Sequence, residues 1–163
     1  MTVKATPHGT RGTKMPGTKV LRKLFEPLAK RQIATYRRTG GTDRMSRMMD
    51  FPVVLLTTKG AKSGGERVAS LGGFADGNDA WLIVGSNGGS PRHPAWIANM
   101  VRHPDEVWLE VGKRKMKVRG DSLTGEERKA ALRRISDISA RYGKYQEKTD
   151  REIPVVRLTR ISG

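Results

Sequence analysis

The sequence predicts an α+β domain built on a small antiparallel barrel. Three observations lead there. Short apolar runs of strand length recur, and glycine-bearing turns join several of them. Helical patterns interrupt these runs at only two places. A chain of 163 residues also suits one domain with its own core, because two independent domains would each be small.

The first strand is VVLLTT, residues 53–58, an apolar run rich in β-branched residues and introduced by Phe51-Pro52. Further strands are predicted at Arg67–Ala75, Ala80–Gly85, Val107–Val111, Lys115–Asp121 and Ile153–Thr159. Gly77-Asn78 reads as a hairpin turn between the second and third, and Gly112-Lys113 as the turn between the next two. One helix opens at Pro94, a favoured first helical position, and runs to about Val101. The other opens at Thr124-Gly125-Glu126-Glu127, which has the form of a capping box. Its apolar side is Ala131, Leu132, Ile135, Ile138 and Tyr142.

Ahead of this domain, residues 1–17 are rich in Gly, Pro, Thr and Lys and predict a disordered tail. Residues 18–49 read as a basic helical region, and residues 50–163 as the barrel domain. In the helix, Val20, Leu21, Leu24, Phe25, Leu28 and Ile33 recur every three or four positions among Arg and Lys, and Pro27 should kink or split it. Its apolar face either covers the domain or meets anionic lipid.

The formal charge is +16. Residues 1–50 hold twelve Lys and Arg against three Asp and Glu, so the excess is concentrated at the front. Such a charge suits an anionic small molecule, a lipid surface or nucleic acid. Specific nucleic-acid binding is disfavoured, because the few aromatic residues do not alternate with basic ones as stacking platforms. The chain has no cysteine, so disulfides and thiolate metal sites are excluded, and a cytoplasmic setting fits. His8, His93 and His103 have no ligand spacing, so no metal site is expected. No apolar run approaches the length of a membrane span.

Two loops offer anion-binding chemistry. The first, Thr57 to Arg67, carries Thr58, Lys59, Gly60, Lys62, Ser63 and Arg67. Glycines let backbone N–H groups approach an anion, and the cations and hydroxyls add to them. The spacing is not that of a phosphate-binding Walker loop, and a solvated basic hairpin would look the same. The second loop, Gly85-Ser86-Asn87-Gly88-Gly89-Ser90, leads into the Pro94 helix, where a helix N-terminus also favours anions. Within that helix, Trp96 either covers a flat ring or belongs to the core, and Asn99 either reaches a ligand or caps a turn. No Ser-His-Asp set is evident. An anion pocket without an acid–base cluster points to chemistry supplied by a cofactor.

The runs FPVVLLTTKGAKSGGERV, GSNGG, HPAWIANMVRHP and TDREIPVVRL, in this order and spacing, resemble the mycobacterial deazaflavin-dependent nitroreductase family. The resemblance covers about residues 50–160. It implies a split β-barrel of about six strands, related to flavin-binding reductases, and use of coenzyme F-420, a deazaflavin with a phosphate-linked oligoglutamate tail. It implies hydride transfer to quinones, activated alkenes or nitroaromatics. It further implies that Lys62, Ser63 and Arg67 hold the phosphate or tail, with Lys59 beside them. Ser86, Asn87 and Gly88 lie by the ring, Trp96 and Asn99 line the ring pocket, and Tyr142 and Tyr145 face the substrate, where a hydroxyl can deliver a proton. The sequence departs from the family pattern at Ala61 and Asn87, where basic residues are common, and at Ser139, where a third tyrosine is usual. An FMN- or haem-binding relative of the same barrel is the other reading. Barrels of this class often pair, so a homodimer is compatible, and the basic helix suggests an enzyme held peripherally at the inner membrane face.

Overall fold

The computed structural model describes residues 2–14 and 19–161. Helices α1 (Lys19–Thr39) and α2 (Arg44–Met48) precede the barrel. Then follow β1 (Val53–Lys59), β2 (Glu66–Gly72), β3 (Phe74–Ala75), β4 (Ala80–Val84), α3 (Ala95–Arg102), β5 (Val107–Val111), β6 (Arg114–Ser122), α4 (Gly125–Ile138), α5 (Arg141–Lys148) and β7 (Val155–Arg160).

All seven strands form one antiparallel sheet in the order β2-β1-β5-β6-β7-β4-β3. Its two outer members are consecutive in the chain and separated only by Gly73. The single strand expected at Arg67–Ala75 thus has one path but two partners. It pairs with β1 up to Gly72 and with β4 from Phe74. This switch brings the sheet edges together and curls the sheet into a half-barrel, and it accounts for seven strands against the six expected. Glycine is required at the switch, since a Cβ on Gly73 would meet Val54 Cγ1 at 2.6 Å.

The predicted hairpins form at Gly77 (φ +83°) and Gly112 (φ +60°), both left-handed. The predicted capping box does not form. Thr124 is the N-cap without a side-chain bond, because Gly125 takes φ +57° and turns the first residue away from helical geometry. Glu127 reaches Arg157 instead, at 3.5 Å.

The core has two parts on opposite faces of the strands. Val54, Leu56, Trp81, Ile83, Leu109, Met116, Val118 and Val156 face the barrel interior, joined by Trp96, Ile97 and Met100 of α3. Leu82, Val84 and Val155 alternate with these and face outward, where Ala131, Ile135 and Tyr142 of α4 and α5 cover them.

The two N-terminal regions differ from expectation. Helix α1 is continuous through Pro27, whose exposed position leaves the carbonyl it cannot bond open to water. Its C-terminal end is anchored. Buried Tyr36 donates to Val53 O (2.8 Å) and accepts from Gly112 N–H (3.0 Å), and Arg37 forks onto Glu110 with both bonds at 3.0 Å. Val20, Leu24, Phe25 and Leu28 are instead 57–67% exposed, so the forward half of the apolar face does not cover the domain.

Residues 2–14, whose composition predicts disorder, lie as an extended strap across the domain. Val3 is buried in the interior core beside Met100 and Gly120. Lys4 N–H donates to Ser122 Oγ (2.9 Å), Gly9 N–H to Pro91 O (2.9 Å) and Thr13 N–H to Gly89 O (3.0 Å). These partners lie 76 to 118 positions away in the chain, so composition alone gives no sign of them. Residues 1 and 15–17 of the expected tail fall outside the described residues.

Candidate cofactor site

The alternating strand directions put both glycine loops at one mouth of the barrel. β1, β6 and β4 run the same way, so their ends at Lys59, Ser122 and Val84 lie together. Helix α3 crosses this mouth, and its buried side closes the interior.

The first loop is tied down from inside by a neutral polar knot. Asn99, buried on α3, accepts from Ala61 N–H (2.9 Å) and donates to the Thr58 hydroxyl (3.0 Å). Gly60 and Gly65 close the turn with a 2.7 Å backbone bond. Ser63 Oγ accepts from Gly65 N–H (3.2 Å) and Arg67 Nη2 (3.1 Å), which seats the guanidinium beside the turn. Lys62, Ser63 and Arg67 are exposed and Lys59 is half-buried. Among the described residues, none of the three cations has a carboxylate partner, and the N–H groups of Lys62 and Ser63 find no protein acceptor. That pattern fits an anionic ligand with a phosphate and carboxylates.

The second loop is held by a cation. Arg151 is 1% exposed, yet among the described residues no carboxylate pairs with it. Its guanidinium donates to Gly85 O (2.9 Å), Ser86 O (2.9 Å) and Ser90 O (3.1 Å), and to His93 Nδ1 (2.8 Å). Burial lowers its pKa and that of His93. Above Arg151 the loop makes a 3-10 turn in which Asn87 (φ +44°), Gly88 (φ +64°) and Gly89 (φ +81°) are left-handed in succession. Asn87 Nδ2 donates to Arg92 O (3.0 Å). The N–H groups of Ser86 and Asn87 have no protein acceptor among the described residues. A Cβ on Gly89 would stand 3.2 Å from Tyr145 O and 3.1 Å from Lys148 Cβ, so only glycine lets α5 pack here.

The expected site residues divide into groups. Lys59, Gly60, Lys62, Ser63, Arg67, Ser86, Asn87 and Gly88 gather at the mouth. Thr58 and Asn99 bond each other, and Asn99 serves as the cap of the turn. Trp96, 7% exposed, packs with the interior core. Tyr142 lies on the other face of the sheet, at the far end of α5 from Gly89. Edge contacts with Phe51, Phe74 and Tyr145 at 5.4–5.8 Å enclose its ring, and its hydroxyl sits against Gly72. Burial pushes its phenol pKa well up and keeps it protonated. Tyr145 is half-buried, with Lys148 Nζ 5.8 Å from its ring centre. Sequence reasoning missed Arg151 and His93. An Arg between Asp150 and Glu152 reads as surface charge; its signals were its place in the TDREIPVVRL run and the apolar stretch Ile153-Pro154-Val155-Val156 that begins two positions on.

The barrel mouth offers cations and backbone N–H groups and, among the described residues, no nucleophile–base pair, an arrangement that suits a cofactor bringing the chemistry. With the curled sheet, this defines a split-barrel, cofactor-dependent oxidoreductase. Residues 28–160 match the F420H(2)-dependent quinone reductase family, and the chain belongs to that family. It is 41% identical over 112 residues to an F420H(2)-dependent quinone reductase of Mycobacterium tuberculosis strain H37Rv, covering 67% of this chain and 74% of that protein. Among solved structures, an F420-H2 dependent reductase is similar at 36% identity and TM-score 0.59, covering 66% of this chain and 93% of that one. A structure described as a domain-swapped dimer is similar at 31% identity and TM-score 0.60, covering 88% of this chain and 99% of that one. The family uses reduced F-420, and its members are oxidoreductases, which takes the deazaflavin reading over FMN, haem and nucleic acid.

Proposed function

We propose that this chain transfers hydride from reduced F-420 to a quinone, holding the cofactor across the barrel mouth. The observation that carries the reading is the set of first-loop cations, Lys62 and Arg67 exposed and Lys59 half-buried, without carboxylate partners among the described residues, beside backbone N–H groups without protein acceptors there. Lys59, Lys62 and Arg67 hold the phosphate and glutamate tail, with Ser63 as a hydroxyl partner. The Ser86-Asn87-Gly88 turn borders the ring. Thr58, Asn99 and Trp96 support these loops from within the barrel end. Bound F-420 supplies the hydride; the protein supplies orientation and closeness, which can lower a barrier by several kcal/mol, on the order of 7 where alignment is good. On the substrate side, Tyr145 has ring surface and a hydroxyl able to orient a carbonyl oxygen, while Tyr142 backs it edge-on. The test is oxidation of reduced F-420 against quinones, enones and nitroaromatics, with separate binding titrations of F-420, FMN and haem. Tight FMN binding with no F-420 binding would overturn the reading.

The exposed forward half of α1 supports a second element. Val20, Leu24, Phe25 and Leu28 make an apolar stripe flanked by Arg22, Lys23, Lys30 and Arg31, with Glu26 as the only acid. This suits an anionic bilayer surface, where apolar quinones reside. Vesicles containing anionic lipid should bind the protein, neutral vesicles should bind it weakly, and Leu24→Glu should release it. Dimerisation through this face, without vesicle binding, would assign the stripe to a second copy instead. Among the described residues no helix is long and apolar enough to cross a membrane.

A further inference from the structure

The family match begins at residue 28, so the strap of residues 2–14 lies outside what that match describes. The strap nevertheless reaches the second glycine loop directly. We infer that the strap and Arg151 form one latch that sets this loop in its cofactor-binding conformation, with Arg151, His93 and Asp150 as positioning residues. The inference rests on the F-420 reading above.

The argument follows where the loop's carbonyl groups go. Arg151 takes those of Gly85, Ser86 and Ser90. The strap takes those of Gly89, through Thr13 N–H, and Pro91, through Gly9 N–H. With its carbonyls drawn into protein, the loop leaves the N–H groups of Ser86 and Asn87 for a ligand. Two side chains join the halves of the latch. His93 accepts from Arg151 at Nδ1 (2.8 Å) and bonds Thr6 O through Nε2 (2.6 Å). A neutral ring protonated on Nε2 satisfies both contacts. Asp150, next to Arg151 in sequence, accepts from the N–H groups of Thr10 (2.8 Å) and Arg11 (2.9 Å) and from the Thr10 hydroxyl (2.5 Å). One short segment thus sends Arg151 under the loop and Asp150 out to the strap.

Linkage makes this testable, because a strap that favours cofactor binding must itself be favoured by bound cofactor. In the full-length protein, saturating F-420 should slow tryptic cleavage after Arg11 by about tenfold, within the ordinary range of such couplings. Asp150→Ala, at an exposed position, should speed that cleavage and raise the F-420 dissociation constant by a similar factor. Turnover at saturating cofactor should stay within about twofold. A merely structural role for the strap would give cleavage that is indifferent to F-420. That result overturns the latch, as does wild-type F-420 affinity in Asp150→Ala when its strap is cut faster. Absence of F-420 binding by the wild-type protein overturns the cofactor reading and the latch together, so the two failures are distinguishable.

Discussion

The two glycine loops at the barrel mouth are built on opposite plans. The first, Gly60 to Gly65, is fixed by neutral groups beneath it, the Asn99 amide and the Thr58 hydroxyl, and displays its cations to solvent. The second, Gly85 to Ser90, has its cation buried beneath it in Arg151 and displays backbone. Solvated lysine and arginine adapt to a flexible, multiply charged tail, whereas a turn fixed by three guanidinium bonds suits a rigid ring. The same sign of charge thus serves attraction in one loop and shape in the other. It follows that substitutions beneath the second loop should act mainly on stability, and those in the first mainly on binding.

The largest effect is expected from Arg151→Met. It leaves three loop carbonyls and His93 without their donor, and should cost about 3 kcal/mol or more of unfolding free energy in denaturant titration. A loss below about 1 kcal/mol would mean that the loop holds itself. Next is Asn99→Ala, which strands the buried Thr58 hydroxyl and the Ala61 N–H. A cost of about 2 kcal/mol should appear in the same measurement. Lys62→Ala and Arg67→Ala should then leave the melting temperature almost unchanged. Each should raise the Michaelis constant for reduced F-420 about tenfold, the equivalent of roughly 1.4 kcal/mol, with a smaller effect on turnover. Cofactor affinity unchanged from wild type in both would break the assignment of the tail to the first loop.

The smallest effects are in pH dependence. Burial, aided by Arg151 and His8 and opposed by the bond to Thr6, lowers the His93 pKa below its ordinary value. The unfolded chain therefore takes up a proton first, and the contribution of His93 is complete above about pH 6.5 and declines as pH falls below it. The bonds from Thr10 and Arg11 hold the Asp150 carboxyl down at about 2. Its contribution is present above its unfolded pKa and disappears as pH falls toward 2. Opening of the strap, followed by the NMR signals of residues 2–14 as the pH is lowered from 7 toward 2, should rise first as His93 protonates and again as Asp150 does. A flat profile would separate the strap from both groups.

Much of the barrel was legible because its signals are local. The VVLLTT run, the turns at Gly77 and Gly112 and the apolar side of α4 each need only neighbouring residues to be read. The cations of the first loop were legible for the same reason, since an exposed charge in a glycine turn has no other burial to report. The tyrosines were read only in part. Spacing on α5 places Tyr142 and Tyr145 near each other, but their burial depends on Phe51 and Phe74, which come from other elements.

The sequence by itself determined the strands and their hairpins, the basic front, the two glycine loops and the resemblance that led to a deazaflavin. These follow from steric preference, periodicity and charge, which act over a few residues. Tertiary structure alone decided that one strand changes partner at Gly73, that a tail with the composition of a disordered segment becomes a strap, and that Arg151 lies inside the protein. Each depends on groups far apart in the chain finding one another: a carbonyl needing a donor, a guanidinium needing acceptors, a sheet edge needing a partner. Such needs are satisfied only once the barrel has closed.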